Sequence, residues 1–208
     1  MTQEPRLPSF QKDPQVVTFG CRLNAYESEV MKDHARYHGL TNTIIVNTCA
    51  VTNEAERQGR QAIRRMKRQY PNAKIIVTGC SAQINPEVYA EMPEVDRVLG
   101  NTEKMQRESF QFEESSKIHV TDIMTVQETA HHLISGFENK VRAFIQIQNG
   151  CNHRCTFCRI PYGRGNNRSV PVSLIVDQIH TLIENGCQEV VFTGVDITDY
   201  GRDFPKPL

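Results

Sequence analysis

The 208-residue sequence predicts an α/β chain: a three-layer unit built on a parallel sheet, then the opening strand, helix and strand of a second α/β unit. Three observations carry this. Short β-branched runs recur as Val16-Val17-Thr18, Ile44-Ile45-Val46 and Ile75-Ile76-Val77, each bounded by turn residues in the manner of buried strands. Helical periodicity fills the gaps at roughly 30 residues per repeat, the βαβ spacing whose crossover forces strands to run parallel. A similar succession begins near residue 141 and ends at Thr193.

In the first helical segment Val30, Met31, His34 and Tyr37 share a face, and Gly39 follows as a stop. The second opens with Asn53 as N-cap and Glu56 three residues on, a capping-box variant. Its apolar face is Ala62, Ile63, Met66 and Tyr70, and Pro71 ends it. Residues 103–140 are polar and weakly periodic, with one apolar stretch from 118 to 123; they read as the tail of the first unit plus a connection containing His131-His132. Residues 141–148 alternate as a strand. Ser173 is the expected N-cap of a helix that turns Ile175, Ile179, Leu182 and Ile183 inward; Gly186 ends it and Val190 to Thr193 form the next strand.

Composition excludes several classes. Hydrophobic residues at 38% and charged residues at 23% describe a globular chain. No apolar run approaches the roughly 18 residues of a membrane span. The first 14 residues lack the apolar region of a secretory signal, so the expected compartment is the cytoplasm. With 24 basic and 24 acidic residues, binding of nucleic acid by bulk charge is disfavoured, although a local basic patch is not.

Seven cysteines in a chain without an export signal favour metal or redox chemistry over disulfides. Cys21, Cys49 and Cys80 each follow one of the three β-branched runs. Parallel strands place their carboxyl ends on one edge of a sheet, where open α/β folds bind ligands, so the three are expected to converge there. Packing explains one buried cysteine; three at equivalent strand ends point to a shared soft-metal or cluster site with an open fourth position.

The second set is contiguous: Cys151, Cys155 and Cys158, spaced C-x3-C-x2-C after the strand that ends near Gln148. Zinc ribbons require a second cysteine pair, which is absent, and His153 reads as an exposed loop histidine. Three thiolates on one loop suit a [4Fe–4S] cluster whose fourth iron takes an outside ligand. Phe157 is either core or a shield for the cofactor, and Cys187 reads as structural.

Together these motifs carry a family resemblance. C-x3-C-x-aromatic-C after a strand resembles the radical S-adenosylmethionine superfamily, and the three preceding strand-end cysteines narrow it to the methylthiotransferases. Within that family Gly20-Cys21-Arg22-Leu23-Asn24 resembles the branch acting on N6-threonylcarbamoyladenosine in tRNA. The isopentenyladenosine branch tends to read Gly-Cys-Gln-Met-Asn there, and the branch acting on a ribosomal-protein aspartate Gly-Cys-Pro-Lys-Asn.

The resemblance implies a methylthiotransferase domain over residues 14–138 and the start of a radical S-adenosylmethionine partial (β/α) barrel over 139–208. It implies two [4Fe–4S] clusters. Cys151, Cys155 and Cys158 would hold the one that binds S-adenosylmethionine, and Cys21, Cys49 and Cys80 an auxiliary one carrying the sulfur to be transferred. Phe157, Thr193, Gly194 and Asp196 would contact the cofactor, although the last three depart from the usual glycine-glycine-glutamate. No side-chain general base is required, because a 5′-deoxyadenosyl radical would abstract the hydrogen at C2 of the adenine. The implied partners are a tRNA anticodon stem-loop and a flavodoxin- or ferredoxin-like electron donor. Family members continue with further strand–helix units, so the chain is expected to be part of a longer enzyme, its last 60 or so residues short of buried area by themselves.

Two basic groups remain. Arg57, Arg60, Arg64, Arg65, Lys67 and Arg68 crowd one helix, as a solvated face or a phosphate-binding one. Arg159, Arg164 and Arg168, with Tyr162, flank the cysteine loop and are candidates for RNA or cofactor contact.

Overall fold

The computed structural model describes residues 13–112, 116–127 and 142–205. A five-stranded parallel sheet in the order β1-β2-β3-β4-β5 forms the first half. Its strands are β1 (Gln15–Thr18), β2 (Thr43–Thr48), β3 (Lys74–Gly79), β4 (Arg97–Leu99) and β5 (Ile118–His119). Between them run α1 (Arg22–Tyr37), α2 (Asn53–Gln69), α3 (Cys80–Ile84) and α4 (Pro86–Ala90). The sheet is covered on both faces, as parallel sheets require. On one, Ile44, Val46, Ile75 and Val77 pack with Ala62, Ile63 and Met66 of α2 and Tyr89 of α4. On the other, Ile45, Ile76 and Leu99 meet Met31 and Ala35 of α1 and Phe110.

In the second half β6 (Arg142–Gln146) pairs in parallel with β9 (Glu189–Thr193), and β7 (Gln148–Asn149) pairs antiparallel with β8 (Arg168–Ser169). Two helices, α5 (Ile160–Arg164) and α6 (Val172–Glu184), lie between. Its core is not self-contained. Tyr26 and Val30 of α1, with Met105, pack against Ala143, Ile145, Ile147, Val170, Ile175 and Leu182. One helix thus serves two cores.

Several sequence expectations are corrected locally. The N-cap of α2 is Thr52, whose hydroxyl accepts the Ala55 N–H at 3.1 Å; Asn53 is already helical. Pro171, not Ser173, precedes α6. Tyr37 and Ile183 are exposed, each at the end of its helix. The strand expected over 141–148 is broken into β6 and β7. Within the stretch read as tail and connection, residues 118–119 add the fifth strand beside β4. Val141, His131-His132, the domain boundary near 138 and most of the polar N-terminus lie outside the described residues.

Candidate functional site

Parallel register brings the first cysteine set together. Thr18 aligns with Asn47 and Asn47 with Thr78, so the chain leaves all three strands at one edge. Cys49 and Cys80 directly follow β2 and β3; Cys21 caps α1. Gly20 has φ +100°, and a Cβ there would lie 2.9 Å from both the Cβ and Sγ of Cys49. That position therefore requires glycine, and it seats the Cys21 loop against Cys49. Asn24 secures the arrangement, donating to the carbonyls of Phe19 at 2.6 Å and Thr48 at 3.1 Å.

Cys49 is buried, Cys80 half-buried and Cys21 exposed, which leaves the edge open on the Cys21 side. All three thiols are free. Burial pushes the Cys49 thiol up, and the neighbouring Cys80 and Cys21 sulfurs push it further. The cost of ionising Cys49 beside its neighbours is what a bound cation would relieve. The donor set, thiols with no carboxylate or imidazole among them, fits an iron–sulfur cluster.

The second set lies on the loop between β7 and α5. The Cys158 N–H bonds the Cys155 carbonyl at 3.0 Å, closing the turn, and the Cys151 N–H bonds Gly165 O at 3.0 Å. Cys155 is exposed and the other two are half-buried. At the carboxyl end of β9, Asp196 Oδ2 lies 3.6 Å from Cys151 Sγ and 3.1 Å from His153 Nε2. Thr193 is buried beneath and Gly194 follows it. Cys151, Thr193, Gly194 and Asp196 are thus brought to one place, where an imidazole and carboxylates stand beside the thiols: ligand atoms of His153, Asp196 and Asp199 lie within 4.8 Å of one another. Phe157 is not brought there: its ring is 87% exposed, which excludes the core reading.

Residues that carry no motif hold the two ends in position. Gln148 is wholly buried; its Oε1 accepts the Val195 and Asp196 N–H groups at 2.8 and 2.9 Å, and its Nε2 donates to Gly150 O at 2.7 Å. One amide therefore ties the start of the cysteine loop to the end of β9. The only sequence signal for it is a polar residue in a strand directly before the loop.

Helix α5 carries the second half onto the first cysteine edge. A Cβ on Gly163 would come within 3.0 Å of Cys80 Cβ, and Asn101 bridges the two, its Nδ2 bonding Gly163 O and lying 3.8 Å from Cys80 Sγ. Arg164 and Arg168, expected as RNA or cofactor contacts, point inward and are buried. Arg164 bonds Glu27 and Asn24, whereas Arg168 donates to backbone carbonyls, and burial lowers it to about 10. Arg159 pairs with Glu56 of α2 at 2.8 Å, and Tyr162 stays exposed.

The basic residues of α2 divide in two. Arg57 pairs with Glu54, Arg60 with Glu56 and Lys67 with Asp96. Arg64, Arg65 and Arg68 are exposed, pair with none of the described residues, and line a groove of about 510 Å³ that reaches Phe19, two residues before Cys21.

Two family models match the chain. Residues 14–100 match the family described as Uncharacterized protein family UPF0004, and residues 145–206 match the Radical SAM superfamily. The chain is 57% identical over 191 residues to threonylcarbamoyladenosine tRNA methylthiotransferase MtaB of Rickettsia prowazekii, covering 92% of the chain and 45% of that relative. It is 37% identical to the protein of the same name from Aquifex aeolicus, covering 89% and 48%. It is 32% identical to tRNA-2-methylthio-N(6)-dimethylallyladenosine synthase of a Sulfurihydrogenibium species, covering 91% and 47%. The chain spans somewhat less than half the length of these relatives.

Proposed function

The chain belongs to the radical S-adenosylmethionine methylthiotransferase family, and from that premise we propose that it forms part of a tRNA methylthiotransferase placing a methylthio group on C2 of N6-threonylcarbamoyladenosine beside the anticodon. The observation that supports this is two three-cysteine sets, one at a parallel sheet edge and one on a loop, with α5, which follows the loop, seated on Cys80. Identity falls from 57% to 32% between the threonylcarbamoyladenosine relative and the dimethylallyladenosine one, which favours the former substrate.

Cys151, Cys155 and Cys158 would hold a [4Fe–4S] cluster with S-adenosylmethionine, and Cys21, Cys49 and Cys80 a second cluster. When bound, these groups supply the radical chemistry that an unactivated aromatic C–H demands and that no acid–base side chain provides. The chain's own residues position and enclose. Gln148 aligns the loop with Thr193, Gly194 and Asp196, the acceptors offered to a methionine ammonium. Phe157, exposed on the loop itself, would shield a ligand bound there. Cys21 presents the open side of the auxiliary edge to substrate. The free arginines of α2 offer phosphate contacts to the anticodon stem-loop. A flavodoxin- or ferredoxin-like donor would deliver the electron, and a tRNA substrate places the enzyme in the cytoplasm; among the described residues no helix is long and apolar enough to cross a membrane.

The test is nucleoside mass spectrometry of tRNA from cells lacking the full-length gene. Loss of the methylthio form of threonylcarbamoyladenosine, with methylthio-isopentenyladenosine intact, supports the proposal. The opposite loss reassigns the substrate. No change in either rejects the tRNA reading and leaves the ribosomal-protein aspartate to be examined.

A further inference from the structure

Three ionisable side chains from distant parts of the chain meet behind the strand-end cysteines, closed off from water. Glu27 of α1, Lys104 and Arg164 of α5 are exposed by 1%, 0% and 2%. Lys104 Nζ lies 2.6 Å from Glu27 Oε2 and 3.5 Å from Asn47 Oδ1. Arg164 reaches both carboxylate oxygens of Glu27, the Oε2 contact at 3.1 Å, and also bonds Asn24. One carboxylate answers two cations, so one positive charge is left over in a place where an uncompensated charge is strongly destabilising.

The leftover charge faces the cysteines. Arg164 adjoins Gly163, which rests on Cys80, and it bonds Asn24, which lies three residues from Cys21 and 3.8 Å from its sulfur. Burial works against the charged form of Arg164, yet Cys80, Glu27 and Cys21 together hold it above the ordinary guanidinium value. Burial lowers Lys104, which Glu27 and Cys80 oppose.

We infer that Glu27, Lys104 and Arg164 form a charge-compensating and positioning triad for an anionic group on Cys21, Cys49 and Cys80. This rests on the reading of that edge as a cluster site. An oxidised [4Fe–4S] core on three thiolates bears one net negative charge, and the triad bears one net positive charge. Each removes the penalty of burying the other. Because Arg164 comes from the second half, the docking of α5 and the loading of the strand-end site reinforce each other.

Net local charge is among the factors that set iron–sulfur potentials, and it makes the triad testable apart from turnover. The full-length protein is prepared with Cys151→Ala, Cys155→Ala and Cys158→Ala, so that one site remains, and reconstituted anaerobically with iron and sulfide. Its midpoint potential is then read by spectroscopic redox titration. Lys104→Met and Arg164→Met are expected to move it negative, Glu27→Gln to move it positive, and Lys104→Arg to leave it near the parent. Shifts of one sign in all variants, as a purely structural role would give, or no shift, overturn the inference. Should Glu27→Gln fail to fold, the pair at Lys104 decides: a negative shift for Met without one for Arg is required. If the parent takes up no iron and sulfide, the cluster reading itself falls and the inference with it.

Discussion

The groove along α2 allows a quantitative test of how RNA is held. Arg64, Arg65 and Arg68 are replaced together by glutamine in the full-length protein. All three are exposed, and glutamine is nearly as good a helix former as arginine, so the fold is little disturbed. Each phosphate neutralised contributes about 0.7 to 0.9 to the slope of log affinity against log salt. Three contacts therefore account for about 2.1 to 2.7 of the slope. Across a fourfold rise in salt, from about 50 to 200 mM, the unmodified protein should lose about 20- to 40-fold more affinity than the variant. Filter binding of an anticodon stem-loop at four or five salt concentrations measures this directly. Equal slopes for the two proteins, with the variant shown folded by circular dichroism, would refute phosphate contact by this face and leave the arginines as a solvated surface.

Other perturbations probe the frame. Gly163→Val forces a side chain into Cys80, so iron per chain after anaerobic reconstitution should fall toward the content of the loop site alone. Thr52→Ala removes the cap on Ala55 N–H and should lower stability by about 1 kcal/mol in chemical denaturation. Ile76→Ala, fully buried in the middle of the sheet, should lose about 2–5 kcal/mol in the same assay. Burial lowers the pKa of His34 below 6.5, only partly offset by its contact with the Met105 carbonyl. As pH falls through 6.5 the unfolded chain takes up a proton that the folded chain resists, so stability present above that pH declines toward the lower folded value. His34→Gln should flatten this acid limb when urea midpoints are compared at about pH 7.5 and 5.5.

The sheet and both cysteine sets were legible because their signals are local and repeated: β-branched runs ending in cysteine, and three cysteines within eight positions. Parallel register does the rest, since it carries the three strand ends to one edge without any further information. What sequence alone did not reveal follows from distance and chemistry. Glu27 and Arg164 are 137 positions apart, and charged residues read as surface unless a partner is in view. Sequence alone therefore groups Arg164 with Arg159 as a flanking contact, although it points the other way. Gln148 is a single amide in an alternating strand, and nothing in its neighbours marks the two backbone N–H groups it accepts from the loop after β9, more than 40 residues away. At Thr52 and Asn53 both residues are good caps, and backbone geometry one position earlier decided between them.

Helix α1 turns Met31 and Ala35 to the sheet and Tyr26 and Val30 to β6 and α6. The alignment of the two halves is thereby written in side-chain packing and in the α5 seat. Two polypeptides divided between the halves would carry matching faces of one interface and could be recombined as a split protein. The same feature constrains exchange of parts between relatives: a foreign second half must offer a glycine and an arginine in the places of Gly163 and Arg164 to fit the first half's cysteine edge. Any chimera in this family should treat α1 and α5 as an inseparable pair.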